Sequence, residues 1–246
     1  PPASPPFFSS AAYVVFKGQV ILTPDRLFMA VVGPSGCGKT ELIFNMLKGH
    51  TFYPRFQKIV YFYKEFQLAF SKASREIPGI NFIKYNGFEI TKNLSNCLLI
   101  YDDSCEEIFK DDEFVKLATS GRHREISILY VKHNLFHQSK NSRTIDLNTT
   151  HIVLFKSLRD IQQIDYLGKQ LHSARILTEA YKSATLEPYG HLVIDLDPKT
   201  SDQLRFSSNL IGPEPSIFYI TAEKATITPF TNEAEARGYT AALVKA

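Results

Sequence analysis

Apolar and polar positions fall into blocks of two kinds along the chain. Residues 27–32, 58–63, 97–101, 127–131, 151–155 and 191–195 are short, nearly unbroken apolar runs of strand length. Runs without alternation belong to strands buried on both faces, as in a covered parallel sheet. Between them lie stretches with helical spacing: Leu42, Met46 and Leu47 share a face, residues 106–120 predict one helix, and about 159–184 predict one or two. Residues 81–83 form a candidate short strand. The alternation predicts an α/β fold, a mainly parallel sheet with helices on both faces. The strand at 191–195 is the last one predicted. Residues 13–16 are a short β-like piece behind a Pro- and Ser-rich start, and composition shifts again after Gly212-Pro213-Glu214-Pro215. The division expected is an extension over 1–22, a core over 23–213, and a tail of unassigned role over 214–246.

Composition narrows the class. Of 246 residues, 44% are hydrophobic and 13% aromatic, enough for a sizeable core and too many for a disordered chain. The net charge of +3 is too small to argue by itself for a nucleic-acid partner. Three cysteines (Cys37, Cys97 and Cys105) without a C-x-x-C pair argue against a disulfide framework or zinc ribbon and for a reducing compartment. No apolar run reaches the ~18 residues of a membrane span. The Pro-rich start is not a signal peptide, and without an initiating Met the chain reads as a fragment, a processed product or a trimmed sequence.

The densest chemical signal is Gly33-Pro34-Ser35-Gly36-Cys37-Gly38-Lys39-Thr40, which fits G-x-x-x-x-G-K-[ST]. It follows an apolar strand and opens a helix, the context that phosphate binding needs. Backbone N–H groups turned toward the phosphates and the positive end of the helix form an anion cradle. Lys39 would reach the β- and γ-phosphates and Thr40 would hold magnesium; a chance match in a turn is the alternative. The same helix end is expected to lower the Cys37 thiol pKa and make the protein sensitive to oxidation.

A second motif lies roughly 60 residues downstream. The strand 98–101 ends in Asp102-Asp103, the pattern of a Walker B strand. Asp102 would hold magnesium, and Asp103 would orient and deprotonate the attacking water. The alternative is a strand end whose acids cap the next helix. An inserted strand and helix between the two motifs match RecA-like motor ATPases, and no Asn-Lys-x-Asp guanine reader is present.

Charge inverts just beyond. Residues 101–115 carry seven acids and one base, whereas 116–145 carry six bases and one acid. The acidic stretch reads as a solvated helix face. Arg122 and Arg124, before the strand at 127–131, have the position of an arginine finger for a neighbouring subunit or are ordinary surface arginines. Lys132, His133 and Asn134 end that strand beside the expected γ-phosphate; His133 or Asn134 would sense phosphate and orient water, or form a local cap. His133-x-x-x-His137 has a zinc-like spacing, but no third ligand stands nearby. Lys140 and Arg143 are candidates for contacts to DNA phosphates, or belong to a solvated loop.

Taken in order, residues 33–40, 98–103, Gly121-Arg122-His123-Arg124-Glu125-Ile126-Ser127, Asn134-Leu135-Phe136-His137-Gln138 and 151–156 followed by Arg159-Asp160 resemble the genome-packaging ATPases of the FtsK/HerA superfamily. The resemblance is to the poxvirus-type group, shared by large DNA viruses and Polinton- and adintovirus-like elements, and covers roughly residues 23–213. It implies a RecA-like (ASCE) P-loop NTPase fold, a ring oligomer (often a hexamer), and ATP-driven pumping of double-stranded DNA into a preformed capsid. Capsid or portal-vertex proteins would be partners, and the protein would act at assembly sites in the host cytoplasm or nucleus, or with the virion. Lys39 and Thr40 carry over as phosphate and magnesium residues, Asp102 and Asp103 as Walker B acids, and Arg124, with Arg122 second, as the finger. Two positions depart from the family: Asp103 stands where Glu is common, and His133 where Gln is common. The competing readings are a P-loop kinase for a small molecule and a nucleotide-binding structural module without turnover.

Overall fold

The computed structural model describes residues 11–16, 22, 27–49, 51–52, 55–87, 94–102, 105–136, 139–211, 216–221 and 241–244. They form two compact units, one from 21–152 and one from 1–20 with 153–246.

The described residues of the first unit carry five strands: β2 (Phe28–Val32), β3 (Ile59–Tyr63), β4 (Ile80–Lys84), β5 (Cys97–Tyr101) and β6 (Ile126–Lys132). Their spatial order is β2-β6-β5-β3-β4 and every pairing is parallel. Strands β2, β5 and β6 are buried at every position, as their unbroken apolar runs require. Aromatic rings fill the layer beside them. Phe62 stacks on Tyr101 at 4.9 Å, Phe28 tilts against Tyr130 at 5.2 Å, and Phe114 meets Tyr101 edge-on at 5.3 Å. Each such pair contributes about 0.5–1.5 kcal/mol beyond its buried area.

Helices α1 (Lys39–Lys48), α2 (Leu68–Glu76), α3 (Cys105–Ile108), α4 (Asp112–Ser120) and α5 (Ser142–Asn148) belong to this unit. In α1 the buried set is Leu42, Ile43, Phe44 and Met46 with Lys39, while Leu47 is only half-buried, so the face is shifted from the one expected. The single helix expected over 106–120 is two. Asp111 breaks it: its Oδ1 accepts from the Glu113 N–H at 2.8 Å and caps α4. The acidic surface is largely answered by nearby cations, with Lys64–Glu107 and Lys116–Glu113 both at 2.6 Å. These exposed pairs add little stability.

The second unit holds β1 (Ala11–Phe16), β7 (His151–Phe155), β8 (His191–Asp195), β9 (Phe206–Ser208), β10 (Ser216–Thr221) and β11 (Ala241–Val244), in the order β11-β1-β10-β9-β8-β7. Here β1 runs antiparallel to both β10 and β11, and β9 runs antiparallel to both β10 and β8. The strand at 191–195 is therefore not the last: among the described residues β9, β10 and β11 follow it. Helices α6 (Ile161–Gln170) and α7 (Ala174–Ala184) pack as a hairpin at Gly168, where a Cβ would lie 2.6 Å from the Ala174 Cα. The Tyr181 hydroxyl donates to the Phe155 carbonyl at 3.0 Å and accepts the Ser157 N–H at 2.7 Å, tying α7 to the end of β7.

His191, at the start of β8, is buried against Phe155 and its Nε2 has no hydrogen-bond partner. Burial holds its pKa below the ordinary histidine value, against a weaker pull upward from the Tyr189 carbonyl. Below pH ~6.5 the unfolded chain takes up a proton that the folded chain resists, so stability present above that pH is lost as pH falls through the unfolded value toward the lower folded one. His191→Phe is expected to shrink the drop in Tm between pH 7.5 and 5.5 by about 2–4 °C. Equal drops in parent and variant would contradict this.

Candidate nucleotide site

The loop between β2 and α1 is built to turn sharply. Gly36 (φ 77°) and Gly38 (φ 96°) adopt the left-handed conformation that glycine enters without strain, and Gly38 caps α1. The Gly33 N–H donates to the Lys132 carbonyl at 3.1 Å, anchoring the loop to β6. Pro34, Ser35 and Gly36 are exposed, whereas Lys39 is 7% exposed. The Lys39 ammonium donates to the carbonyls of Gly33 and Pro34, both at 2.8 Å, and so lies across its own loop. Glu41 in the first turn and Lys48 in the last complement the helix dipole.

Thr40 and Asp102, distant in sequence, meet. The Thr40 hydroxyl donates to Asp102 Oδ2 at 3.1 Å, and the Tyr61 hydroxyl donates to the same oxygen at 2.5 Å. Asp102 is 4% exposed, at the end of β5. A hydroxyl and a carboxylate oxygen this close suit a hard, oxygen-seeking cation such as Mg2+. Asp103 lies outside the described residues, as do His137 and Gln138.

Register decides which other residues share this end of the sheet. Val32 pairs with Lys132, so Gly33 and His133 leave the sheet together. His133 and Asn134 are exposed there. Lys132 itself is not a phosphate ligand. Its Nζ is buried, 2.7 Å from Asp146 Oδ1 of α5 and 5.7 and 5.9 Å from the ring centres of Phe109 and Tyr130. A buried ammonium needs such a partner, and the charge of Lys132 is used inside the fold.

Arg122 and Arg124 are elsewhere. They lie in a 3-10 turn, Gly121–Arg124, that enters β6 at its other end, where Ile126 pairs with Cys97. A seven-residue strand spans ~20 Å, so these arginines stand about that far from the phosphate loop of their own chain. Arg122 is exposed and Arg124 half-buried. The exposed Lys140 lies 3.4 Å from Asp112, and Arg143 projects from the exposed side of α5.

Cys37 corrects a local expectation. Burial pushes its thiol pKa up, and the Lys39 ammonium, 3.9 Å from the sulfur, offsets this only in part. Less thiolate means slower chemistry. At pH 7.5 Cys37 is expected to alkylate with iodoacetamide several-fold more slowly than a free cysteine, read by mass spectrometry. Faster labelling would contradict the assignment.

The strand order completes the picture: β2, which leads into the glycine loop, and β5, which ends in Asp102, are separated by one strand, β6, which ends beside both. The chain has the fold of the RecA-like P-loop NTPases. Among solved structures, this NTPase fold is similar to the genome packaging NTPase B204 from Sulfolobus turreted icosahedral virus 2 in its AMP complex, at 17% identity and a TM-score of 0.51, covering 78% of this chain and 100% of that one. The AMPPCP complex gives 16% identity and 0.51, covering 73% and 96%. B204 described as the DNA-packaging ATPase from Sulfolobus Turreted Icosahedral Virus gives 14% and 0.51, covering 72% and 96%. At such identities the likeness is one of fold, and it agrees at that level with the resemblance to FtsK/HerA packaging ATPases. No protein-family model and no curated protein matches the sequence. No helix among the described residues of this NTPase fold is long and apolar enough to cross a membrane.

Two residues of the site escape sequence reasoning, Tyr61 and Asp146. The signal for Tyr61 is a phenol inside a wholly apolar strand, which needs a partner for its hydroxyl. Asp146 leaves no signal of its own, because an acid on a short helix reads as surface.

Proposed function

We propose that the chain is an ATP-hydrolysing DNA translocase of the FtsK/HerA type, packaging double-stranded DNA into a preformed capsid as a ring oligomer. The observation that carries this is the meeting of Thr40 and Asp102 across a sheet whose intervening strand, β6, also anchors the phosphate loop. The packaging NTPases that share the fold support the assignment of the work. The poxvirus-type grouping rests on the sequence resemblance alone.

In this reading the loop amides and Lys39 bind the β- and γ-phosphates. Mg2+, held by the Thr40 hydroxyl and the Asp102 carboxylate, would neutralise phosphate charge. Asp103 accepts the proton of the attacking water as its oxygen bonds to the γ-phosphorus. The bond to the β-phosphate oxygen breaks, leaving ADP and phosphate. His133 and Asn134, at the end of β6, contact the γ-phosphate side. The distance of Arg122 and Arg124 from their own phosphate loop supports a role on a neighbour's nucleotide, so each site is completed by a second copy. Lys140 and Arg143 contact DNA phosphates, which requires only positive charge. Lys140 would exchange Asp112 for phosphate. Capsid or portal-vertex proteins are the expected partners, at viral assembly sites in the host cytoplasm or nucleus, or in the virion.

The test is ATP hydrolysis over a protein concentration series, with and without double-stranded DNA. Turnover that rises with DNA, and faster than linearly with protein, is expected. DNA-independent turnover at constant specific activity favours a small-molecule kinase, and binding without turnover favours a structural module. Either outcome overturns the proposal.

A further inference from the structure

Tyr61 sits in the middle of β3, wholly buried, on the strand that neighbours β5. Its ring is enclosed by Phe44 of α1, Phe70 of α2 and Phe82 of β4, at centroid separations of 5.6, 5.4 and 5.1 Å. A phenol oxygen lies on the ring axis, so packing the ring fixes the oxygen. That oxygen donates to Asp102 Oδ2 at 2.5 Å, the length of a bond to a charged acceptor. Thr40 donates to the same carboxylate oxygen. Phe44 stands one helical turn beyond Thr40, so α1 both presents that hydroxyl and packs the tyrosine ring.

Phenylalanine would fill the same space without burying a polar group. A buried hydroxyl costs free energy unless it is paired, and this one is paired with the Walker B carboxylate. We propose that Tyr61 is a positioning residue for the cation site: its hydroxyl holds the Asp102 carboxylate in the rotamer that faces Thr40. This rests on the nucleotide-site reading above. Mg2+ demands near-ideal geometry from its oxygen ligands. A carboxylate that has lost its orienting donor loses metal affinity, whereas the contacts of Lys39 and the loop amides with phosphate are untouched.

Tyr61→Phe in the full chain tests this, with the non-hydrolysable analogue AMPPNP as probe. Binding is measured by calorimetry in EDTA and across a Mg2+ titration, and bound Mn2+ is counted by electron paramagnetic resonance. The affinity in EDTA is expected to stay within about twofold of the parent, while the Mg2+ concentration at half-effect rises roughly tenfold. Asp102→Ala alone raises it as well, and adding Tyr61→Phe to Asp102→Ala changes nothing further. An unaltered Mg2+ titration, equal losses with and without Mg2+, or additive losses in the double variant would overturn the role of Tyr61. A parent protein without Mg2+-dependent AMPPNP binding would instead overturn the nucleotide site on which it rests.

Discussion

Lys39→Ala lowers ATP hydrolysis by about 10²–10³-fold and leaves the chain folded. The ammonium is buried in the loop mouth and bonds only to loop atoms in the described contacts, the carbonyls of Gly33 and Pro34 and the Cys37 sulfur. Removing it leaves two carbonyls at a rim where Pro34 is exposed, so water replaces the lost donor at small cost. What is not replaced is a fixed positive charge next to the phosphate whose charge grows as its bond breaks. Phosphate release gives the rate and a thermal melt gives the fold. A variant within tenfold of the parent rate would contradict the assignment of this loop.

Arg124→Ala removes about 10³-fold or more of turnover while nucleotide affinity is retained. The turn that carries Arg124 keeps its shape in the variant. Backbone hydrogen bonds hold it, among them those from the Asn96 N–H to the Arg124 carbonyl at 2.9 Å and from the Glu125 N–H to the Arg122 carbonyl at 3.1 Å. The turn lies at the opposite end of β6 from the phosphate loop of its own chain, so loss of rate without loss of binding is the signature of a group acting on a neighbour. Arg122→Ala is expected to have the smaller effect. Turnover left intact by Arg124→Ala, or affinity falling in step with rate, would contradict the finger role.

The parts legible in the sequence are those whose causes are local. The phosphate loop is eight contiguous residues, and Asp102 directly closes a buried apolar run. The break between α3 and α4 was hidden because Asp111 keeps the helical spacing of its neighbours while its side chain caps the second helix. The strands after 191–195 were hidden because their pairing is distant. Ala11 faces Thr221, and Phe16 faces Ser216 and Ala241, while β9 is only three residues long. The pairing of Lys132 is not legible in the sequence, because its partner, Asp146, reaches it only through the packing of α5. Cys37 follows the same logic in reverse: the helix-end rule is local, and burial, a property of the whole fold, overrides it.

Mixing Lys39→Ala with Arg124→Ala chains tests the central account most directly. Each variant alone is expected to be nearly inactive, one for want of the Lys39 ammonium and one for want of the Arg124 guanidinium. In a head-to-tail ring assembled at random from equal amounts, roughly a quarter of interfaces join an intact Lys39 to an intact Arg124. DNA-stimulated hydrolysis should therefore return to about that fraction of the parent rate. A mixture no more active than its two components would contradict a ring translocase whose sites are completed by the neighbouring subunit.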